Sequence, residues 1–308
     1  MNIGVVLVTY NRLEKLKIAL KKYDEQSYLP KYVMVVNNNS NDGTFEYLEE
    51  WKSKSSNYEK IVLNMSTNLG GSGGFYSGIK ESLFLNVDWI WVSDDDAFLE
   101  HDVFEKINQF YQKNNAKDNI VALCGKVINK DESIAYDHRR TMKKGVFKIH
   151  QINSKSDDYK KEYFEINTFS YVGSMMKKEI LFKSGITNKD YFIYYDDTEH
   201  SYRLSKEGKI ICVSAAEIFH DTLDGGKEIN WKSYYGIRNR LDFVKRNFGK
   251  RLFFNSALYI KIKCLIKTVF RIKYNKDEIN LQLTAIEDAK SNKFGIHEIY
   301  KPGWKAKK

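Results

Sequence analysis

One segment of the chain, residues 89–96, joins a hydrophobic run to three consecutive carboxylates. An apolar run of this kind predicts a buried β-strand that carries acids at its carboxyl end. Adjacent carboxylates repel one another and lose hydration unless a cation or hydrogen-bond donors neutralise them, and hard oxygen ligands suit Mg²⁺ or Mn²⁺. Such an ion would most naturally hold a diphosphate. Taken alone, the same segment also fits a solvated acidic turn.

The first hundred residues alternate between strand patterns and helix patterns. Apolar, β-rich runs at residues 3–9, 32–36 and 61–63 each precede a helical pattern, and the last of these helices leads to the strand at residue 89. This alternation predicts an α/β fold with a mostly parallel sheet flanked by helices. Ligands of such sheets bind beyond the carboxyl ends of the strands, where the polar clusters of this sequence lie.

A glycine cluster follows the third predicted strand, with four glycines between Gly70 and Gly74. The dinucleotide-binding pattern would require glycine where the chain has Tyr76, and no Gly-Lys-Ser/Thr follows for a P-loop. Glycines at a helix start permit close backbone approach, and the free amides there can meet a phosphate or a sugar. The alternative is a flexible loop.

Four motifs occur in one order: residues 8–12, 38–44, 68–75 and the aspartate triad. In this order the chain resembles family 2 glycosyltransferases of the GT-A fold and is most similar to bacterial galactofuranosyltransferases, through the Asn-x-Gly-Gly-x-Gly-Gly-Phe element above all. Later segments extend the resemblance to about residue 245. They contain Gly173, Gly185, the aromatic and acidic run 191–203, His220 and residues 234–239.

The resemblance implies transfer of galactofuranose from UDP-galactofuranose. The strand-end spacing lets Asp94 and Asp96 share one Mn²⁺ or Mg²⁺ while Asp95 points elsewhere, and the resemblance adds His220 as the third metal ligand. Many family members carry an aspartate that contacts uracil where this chain has Asn37, so uracil recognition is inherited from the family. The expected donor-binding residues are Thr9, Tyr10, Asn11, Arg12, Asn37, Asn38, Asn68, Gly70, Gly71, Gly73, Gly74, Asp94 and Asp95.

A second acidic cluster supplies the expected catalytic base. Asp197 is the predicted base, with Asp196 and Glu199 as its catalytic neighbours, because adjacent aromatic residues desolvate the cluster and nearby carboxylates raise the pKa of one member. One base and no covalent intermediate predict inversion and a β-linked product. The alternative role is capping of the helix that contains Arg203. The expected acceptor-side residues are Gly173, Ser174, Tyr235 and Arg238.

The positive charge of the chain is concentrated near its carboxyl end. The 308 residues carry a formal charge of +10, and residues 250–276 contain eight Lys or Arg and no acid. We therefore expect a catalytic domain at residues 1–245 and a basic, amphipathic helical region at residues 246–308. Three scattered cysteines without metal-ligand spacing predict reduced thiols. No signal peptide or membrane-spanning run is expected, and no nucleic-acid motif accompanies the charge.

On a helical wheel the basic region has two sides. One side carries Lys261, Lys263, Lys267 and Arg271, and the other carries Phe254, Leu258, Ile262, Leu265, Ile266, Val269 and Phe270. This pattern predicts a helix that binds an anionic membrane surface. The alternative is a helix packed on the catalytic domain with its basic side in water. We expect the tail at residues 301–308 to be mobile, with Trp304 at a lipid interface as the second option.

These features together predict a cytoplasmic, peripheral enzyme at the inner face of the cell membrane. It would transfer galactofuranose to a cell-surface glycan acceptor carried by a lipid, and a homo-oligomer is possible. One alternative is a rhamnosyltransferase that uses dTDP-rhamnose on the same fold. A hypothesis from another class is a catalytically silent sugar-nucleotide-binding module that recruits other proteins.

Overall fold

The computed structural model describes residues 1–114, 119–222 and 228–307. The strands within these ranges are β1 (Ile3–Thr9), β2 (Tyr32–Asn37), β3 (Glu59–Asn64), β4 (Trp89–Asp94), β5 (Ala97–Leu99), β6 (Ile120–Asn129), β7 (Arg139–Lys144), β8 (Ile149–Asn153), β9 (Tyr163–Ile166), β10 (Thr168–Phe169), β11 (Ser174–Lys177) and β12 (Lys209–His220). The helices are α1 (Leu13–Asp24), α2 (Thr44–Ser53), α3 (Gly70–Ser82), α4 (Val103–Asn114), α5 (Ser156–Tyr159), α6 (Lys178–Ser184), α7 (Asp196–Leu204), α8 (Trp231–Phe248), α9 (Lys250–Phe270) and α10 (Lys276–Ser291).

The large sheet has the strand order β3-β2-β1-β4-β11-β6-β12-β5, with β9 paired to β12. Strands β1 to β4 run parallel, while β11 is antiparallel to both β4 and β6. In the register of the sheet, Val8 lies opposite Asp94 and Thr9 opposite Asn37. The predicted α/β fold is confirmed, and the carboxyl ends of the first four strands meet at one edge of the sheet.

Both faces of the sheet are covered by apolar side chains. Val5 and Leu7 of β1 point into a cluster that includes Leu16 of α1, while Val6 and Val8 point into another that includes Phe75 of α3. This division follows from the alternation of side chains along a strand. Because β1 is buried on both faces, its sequence is uniformly apolar.

Helix α3 begins at the glycine cluster itself. The glycines occupy the first turns of the helix, so the flexible-loop alternative is wrong. A Cβ at Gly74 would lie 2.6 Å from Val8 Cγ1, and one at Gly78 would lie 2.4 Å from Val6 Cγ1. The absence of side chains at these two positions lets α3 approach β1 closely.

The last three helices pack on one another and on the α/β core. The expected domain boundary at residues 245/246 lies inside α8. The buried residues Leu281 and Ala285 of α10 form one apolar cluster with Tyr234 and Tyr235 of α8. Leu252, Phe253 and Ala257 bring α9 into a neighbouring cluster with Leu241 and Phe243.

The carboxyl-terminal tail folds back onto the start of α8. Trp231 N donates to Trp304 O at 3.1 Å, and Ala306 N donates to Ile229 O at 3.0 Å. The Trp304 ring packs edge-on against Tyr300, with 4.9 Å between ring centroids. The expectation of a mobile tail is therefore wrong for residues 301–307, and Lys308 lies outside the described residues.

Helix α9 presents its apolar side outward. Phe254, Leu258, Leu265, Val269 and Phe270 are each more than half exposed. Two of the basic residues point instead toward α10: Lys261 pairs with Glu287 at 2.9 Å, and Lys267 pairs with Glu278 at 2.7 Å. Lys261 and Lys263 are exposed as well, so both sides of the helix face water. The helix packs on α8 near its start, and its binding to an anionic membrane stays a prediction.

Two further expectations concern the whole chain. Cys124, Cys212 and Cys264 are free and buried, as the scattered spacing predicts. Within residues 1–114, 119–222 and 228–307, no helix combines the length and the apolar character needed to cross a bilayer.

Candidate active site

A cavity of about 270 Å³ lies at the carboxyl ends of β1 and β4. Expected donor residues that line it are Thr9, Tyr10, Arg12, Asn38, Asn68, Gly70, Gly71, Asp94 and Asp95. A larger cavity of about 580 Å³ lies between α4 and β12, but it contains none of the expected residues. The smaller cavity is the candidate donor site because the sequence motifs converge there.

The aspartate triad divides between two sets of partners. Asp95 accepts hydrogen bonds from Thr9 Oγ1 at 2.7 Å and from Arg12 Nη1 at 3.2 Å. Ligand atoms of Asp94, Asp96 and His220 all lie within 4.8 Å of one another, and His220 Nε2 is 3.4 Å from Asp96 Oδ1. The structure therefore brings the three expected metal ligands together and turns Asp95 away from them.

The charges within the triad are unequal. Burial, followed by the negative charges of Asp96 and Asp95, raises the pKa of Asp94 well above its ordinary value. Burial also raises the pKa of Asp95 to about 6, although the Arg12 charge opposes the rise. The pKa of Asp96 is lowered because His220, Arg12 and Lys15 together outweigh its desolvation. A cation bound beside Asp94 would oppose this rise, because positive charge favours the ionised carboxylate.

The donor set of this cluster fits a divalent ion. Two carboxylates and one imidazole are ligands that Mn²⁺ and Mg²⁺ sites accept. His220 Nδ1 is buried without a hydrogen-bond partner among the described residues, and its ring packs perpendicular to His138 at 4.9 Å. Burial and the neighbouring His220 lower the pKa of His138 well below its ordinary value, so His138 adds no positive charge that would repel a metal.

The asparagines expected to bind the donor have different positions. Asn38 lines the cavity, accepts from Leu69 N and donates to Gly70 O, so it holds the start of α3. Asn37 is buried, donates to Asn64 Oδ1 and accepts from Ser40 N. Internal partners thus use one donor and one acceptor of the Asn37 amide, and its expected contact with the base stays a prediction.

Among the remaining expected donor residues of the loops, some line the cavity and others make only internal contacts. Asn11 does not line the cavity; its Oδ1 accepts from Asn41 N, and its own N–H donates to Ser40 Oγ, so it ties two loops together. A Cβ at Gly73 or Gly74 would meet Leu69 or Val8, and neither glycine lines the cavity, so their expected donor contacts stay a prediction. Gly70 has φ 72° and a Cβ there would lie 2.0 Å from Phe192 O, so this position requires glycine.

The second acidic cluster lies at the start of α7. Asp196 is buried, and burial together with the Asp197 charge raises its pKa to about 7. The Asp196 charge also contributes to the raised pKa of Asp94, which places the two acidic clusters in one electrostatic environment. Asp197 is half-buried, and its Oδ1 accepts from Thr198 N and Thr198 Oγ1. Asp197 Oδ2 accepts no hydrogen bond from the described residues.

Glu199 does not join this pair as a free carboxylate. Its two oxygens accept from Arg203 Nε and Nη2, both at 2.9 Å, in a bidentate ion pair on α7. Arg203 in turn donates to carbonyls of the loop before α7, including Ile186 O. Glu199 therefore anchors the helix through Arg203, and its expected role as a catalytic neighbour stays a prediction.

The expected acceptor-side residues lie beneath the surface. Ser174, Tyr235 and Arg238 are at most 1% exposed. Arg238 donates to Gly295 O and Tyr191 O, while Tyr235 Oη accepts from His297 N. Gly173, with φ 69°, precedes β11, and a Cβ there would lie 2.7 Å from Ile218. Tyr235 and Arg238 thus bind backbone groups of neighbouring segments, and contact of the four residues with an acceptor stays a prediction.

Several cavity residues were absent from the sequence expectations. Phe192, Ile193, Trp231, Lys232 and Pro302 line the donor cavity. The aromatic run before Asp196 was a signal for the first two. Residues of α8 and of the tail carried no signal, because only the folded path of the chain brings them over the ends of β1 and β4.

Sequence comparison gives the family of the chain. The model of "Glycosyl transferase family 2" matches residues 4–184, which is more than half of the chain. The galactofuranosyltransferase GlfT1 of Mycolicibacterium smegmatis is 38% identical over 92 residues, 30% of this chain and 29% of that enzyme. The dTDP-rhamnosyl transferase RfbF of Shigella flexneri is 26% identical over 260 residues, 80% of this chain and 81% of that enzyme.

Solved structures share the fold at low sequence identity. GalNAc-T7, determined with UDP, GalNAc and Mn²⁺, has a TM-score of 0.62 and 13% identity, covering 94% of this chain and 54% of that one. S. aureus TarS 1-349 in complex with UDP-GlcNAc has a TM-score of 0.60 and 14% identity, covering 94% and 81%. With the family model matched across β1 to α6, the chain belongs to glycosyl transferase family 2.

Proposed function

We propose that this glycosyltransferase moves galactofuranose from UDP-galactofuranose to a glycan acceptor with inversion at the anomeric carbon. The observation that carries the proposal is one cavity lined by the donor motifs, by Asp94 and Asp95, and by Phe192 and Ile193 of the segment that leads into the second acidic cluster. The local match to galactofuranosyltransferases supports the sugar. Mn²⁺ and UDP-sugars in the structural neighbours support the donor class.

The donor is held by backbone and polar groups at the strand ends. A Cβ added at Gly71 would meet no atom within 4 Å, so a donor can approach the amides of the first turn of α3 closely. Arg12 and Lys232 are the cations of the cavity and can meet the diphosphate. Asp95, held by Thr9, faces the same space and can accept from a ribose hydroxyl.

The metal-binding residues would be Asp94, Asp96 and His220. An ion held there supplies positive charge to the leaving diphosphate, which lowers the free energy of the bond-breaking transition state. Asp96 is already ionised in the structure, since its pKa is lowered, and it offers a charged oxygen for binding. Mn²⁺ and Mg²⁺ both suit this donor set.

The base in this proposal is Asp197. Its free Oδ2 can take the proton of the attacking hydroxyl, while Thr198 fixes the other oxygen. Asp196 shares the local negative charge and lies deeper, so it orients and tunes the pair. Phe192, Ile193 and Trp231 form the apolar wall of the cavity and limit the access of water to the donor.

A rhamnosyl reaction is the second candidate. Its support is the length of the match to the dTDP-rhamnosyl transferase, which spans 80% of this chain, against 30% for the galactofuranosyl enzyme. Asn37 makes internal hydrogen bonds, so the support for a uracil contact that the family resemblance gives is weaker. The site is then also compatible with thymine, the base of a dTDP-sugar. The silent-module hypothesis has less support, because both acidic clusters retain the groups that transfer requires.

The acceptor in our proposal is a surface glycan carried by a lipid at the inner face of the cell membrane. The support is the position of basic and apolar residues in one region of the chain, with eight cations and no acid between residues 250 and 276. A lipid carrier would place the glycan beside that region. A short soluble glycan would then react more slowly than the same glycan on a lipid in vesicles.

The test is a donor panel with product analysis. The purified chain is incubated with UDP-galactofuranose or dTDP-rhamnose and a set of glycan acceptors, with Mn²⁺ or with EDTA, and products are identified by mass spectrometry and NMR. We expect a β-linked galactofuranosyl product that requires the metal, and none from the Asp197→Asn control. A rhamnosyl product alone would overturn the sugar assignment. A retained anomeric configuration would overturn the inverting mechanism.

A further inference from the structure

An exposed apolar stripe runs along most of α9. Phe254, Leu258, Ile262, Leu265 and Val269 are between 46% and 62% exposed and recur at intervals of three or four residues. This spacing places them on one side of a 21-residue helix, which is about 30 Å long. Phe270, 68% exposed, adds to the far end of the stripe. An apolar patch of this extent marks an interaction surface.

A second element joins the stripe at its start. The turn between β7 and β8 carries Val146 and Phe147, which are 75% and 63% exposed. Asn255 Nδ2 donates to Val146 O at 3.0 Å, and Ser256 Oγ donates to Phe147 O at 3.1 Å. These bonds fasten the turn to α9, so the two elements form one surface, which we call the α9–β7/β8 surface.

A cationic cavity lies beside this surface. Lys148, Arg240 and Lys263 line a space of about 290 Å³ that has no acidic lining residue. Lys148 and Lys263 lie 5.5 Å and 4.9 Å from the centroid of the Tyr259 ring, which lies between them. Unlike Lys261, these cations have no carboxylate partner among the described residues. Three unpaired cations around one cavity fit a phosphate group.

The charges around the α9–β7/β8 surface favour an anionic membrane as its binding partner. Residues 139–153 and 250–276, which supply the turn and the helix, contain no acid. A second copy of this chain placed face to face would bring two cationic rims together, and like charges repel. An anionic bilayer instead complements the rim, and its acyl boundary accepts the apolar stripe.

We propose that the α9–β7/β8 surface docks on an anionic bilayer, with its apolar side chains in the headgroup boundary and a lipid phosphate in the cavity of Lys148, Arg240 and Lys263. This surface differs from the one that the sequence predicts: apolar side chains make most of its lipid contacts, Lys263 takes part through the cavity, and Lys261 and Lys267 are paired with α10. The stripe supplies the apolar contact, and the cavity supplies the specificity for anionic lipid.

The same hairpin joins the surface to the second acidic cluster. At the start of β7, Arg140 Nη2 donates to Thr198 Oγ1 at 2.8 Å, and Thr198 in turn donates to Asp197. The other end of β7 leads directly into the turn at Val146 and Phe147. Docking would therefore hold Asp197 at a fixed height above the bilayer.

The first experiment measures vesicle binding by sedimentation, without donor or acceptor, so its outcome is independent of the proposed transfer reaction. Vesicles are phosphatidylcholine alone or with 30% phosphatidylglycerol. The test variant is Leu265→Gln/Val269→Gln/Phe270→Gln, and the matched control is Phe84→Gln, an exposed residue just after α3. We expect at least a 10-fold loss of affinity for the test variant at an unchanged melting temperature, and no loss for the control. Equal binding of all three proteins would overturn the proposal.

The second experiment separates lipid from a protein partner. Lys148→Gln/Lys263→Gln should lower affinity for the phosphatidylglycerol vesicles at least 5-fold and reduce its salt dependence, with little change for phosphatidylcholine alone. Sedimentation velocity is run on the same proteins. A wild-type dimer that the triple variant dissociates, together with no vesicle binding, would assign the surface to a second copy and overturn the proposal.

Discussion

Arg12 Nη1 lies 2.5 Å from Asp96 Oδ2 and 3.2 Å from Asp95 Oδ1, so one guanidinium bridges two members of the aspartate triad. The Arg12 side chain is still 47% exposed at the edge of the cavity. It supplies positive charge to the triad and lines the cavity. In the proposed donor complex the same guanidinium would meet the diphosphate and so link the donor to the acidic cluster.

Replacement of Arg12 tests this link. Arg12→Gln should raise the donor KM at least 10-fold, because the cavity loses a cation that can meet the diphosphate. The matched control is Arg251→Gln, an exposed arginine on α9 with no contact to the cavity. Steady-state kinetics with varied donor measure both. Unchanged KM in Arg12→Gln would remove Arg12 from the donor site.

Loss of Asp96 tests the proposed metal site. Asp96→Ala should lower Mn²⁺ affinity at least 100-fold and abolish metal-dependent donor binding, because one of three clustered ligands is gone. Calorimetry with Mn²⁺ measures the first effect, and UDP titration measures the second. Asp102→Ala, which removes a surface carboxylate paired with Lys106, should bind metal normally. Full activity of Asp96→Ala in EDTA would contradict the site.

Asp197 and Glu199, two of the three carboxylates of α7, should respond differently to amide substitution. Asp197→Asn keeps size but loses proton affinity, so kcat should fall about 10²- to 10⁴-fold with donor affinity unchanged. Glu199→Gln weakens the ion pair with Arg203, so it should lower the melting temperature while the folded enzyme keeps kcat within a few-fold. If Asp197→Asn turned over normally and Glu199→Gln were inactive, Glu199 and not Asp197 would be the catalytic base.

Asp196 should make stability depend on pH. Its pKa is about 7 in the folded chain and about 4 when unfolded, so the folded state binds the proton more tightly. The resulting stabilisation is full below pH 4 and is lost as pH rises through 7. Asp196→Asn removes this loss. The melting temperature of the variant minus that of the wild type should therefore be larger at pH 8 than at pH 5. The exposed control Asp157→Asn should show no such trend, and a flat difference for Asp196→Asn would refute the shift.

The glycine cluster offers a pair of matched substitutions. Gly74→Ala should destabilise the fold by about 1–3 kcal/mol, because its Cβ would overlap Val8 of β1. Gly71→Ala has no atom within 4 Å of the new Cβ and should be neutral or stabilising by up to about 1 kcal/mol through helix propensity. Urea unfolding measures both free energies. Equal effects would mean that α3 does not pack on β1 as described.

The sequence predicted the strand ends well because they depend on local patterns. A run buried on both faces must be apolar, and the polar residues after it mark the end of the strand, as at Thr9 and Asp94. The motifs around Asn38 and Gly70 could be assigned to the same edge for this reason. Parallel connectivity then brought them together without any knowledge of side-chain contacts.

The roles of individual polar residues could not be obtained in this way. Asn37 and Glu199 have the right chemistry for binding and catalysis, but each is engaged by an internal partner, Asn64 and Arg203 respectively. Whether a polar side chain has such a partner depends on which other parts of the chain fold against it, and local sequence does not show this. Trp231 and Pro302 likewise line the cavity only because segments far apart in the sequence fold together there.

The sequence by itself determined the α/β fold, the order of the acidic clusters and the two-sided character of α9, because these follow from periodicity and from the ends of apolar runs. Tertiary structure alone decided that Asp196 is more buried than Asp197 and that the apolar side of α9 is exposed. The physical reason is that burial and ion pairing are properties of contacts between distant segments. The pairing of Lys261 and Lys267 with Glu287 and Glu278 of α10 is such a contact, because α9 and α10 are separate segments of the chain.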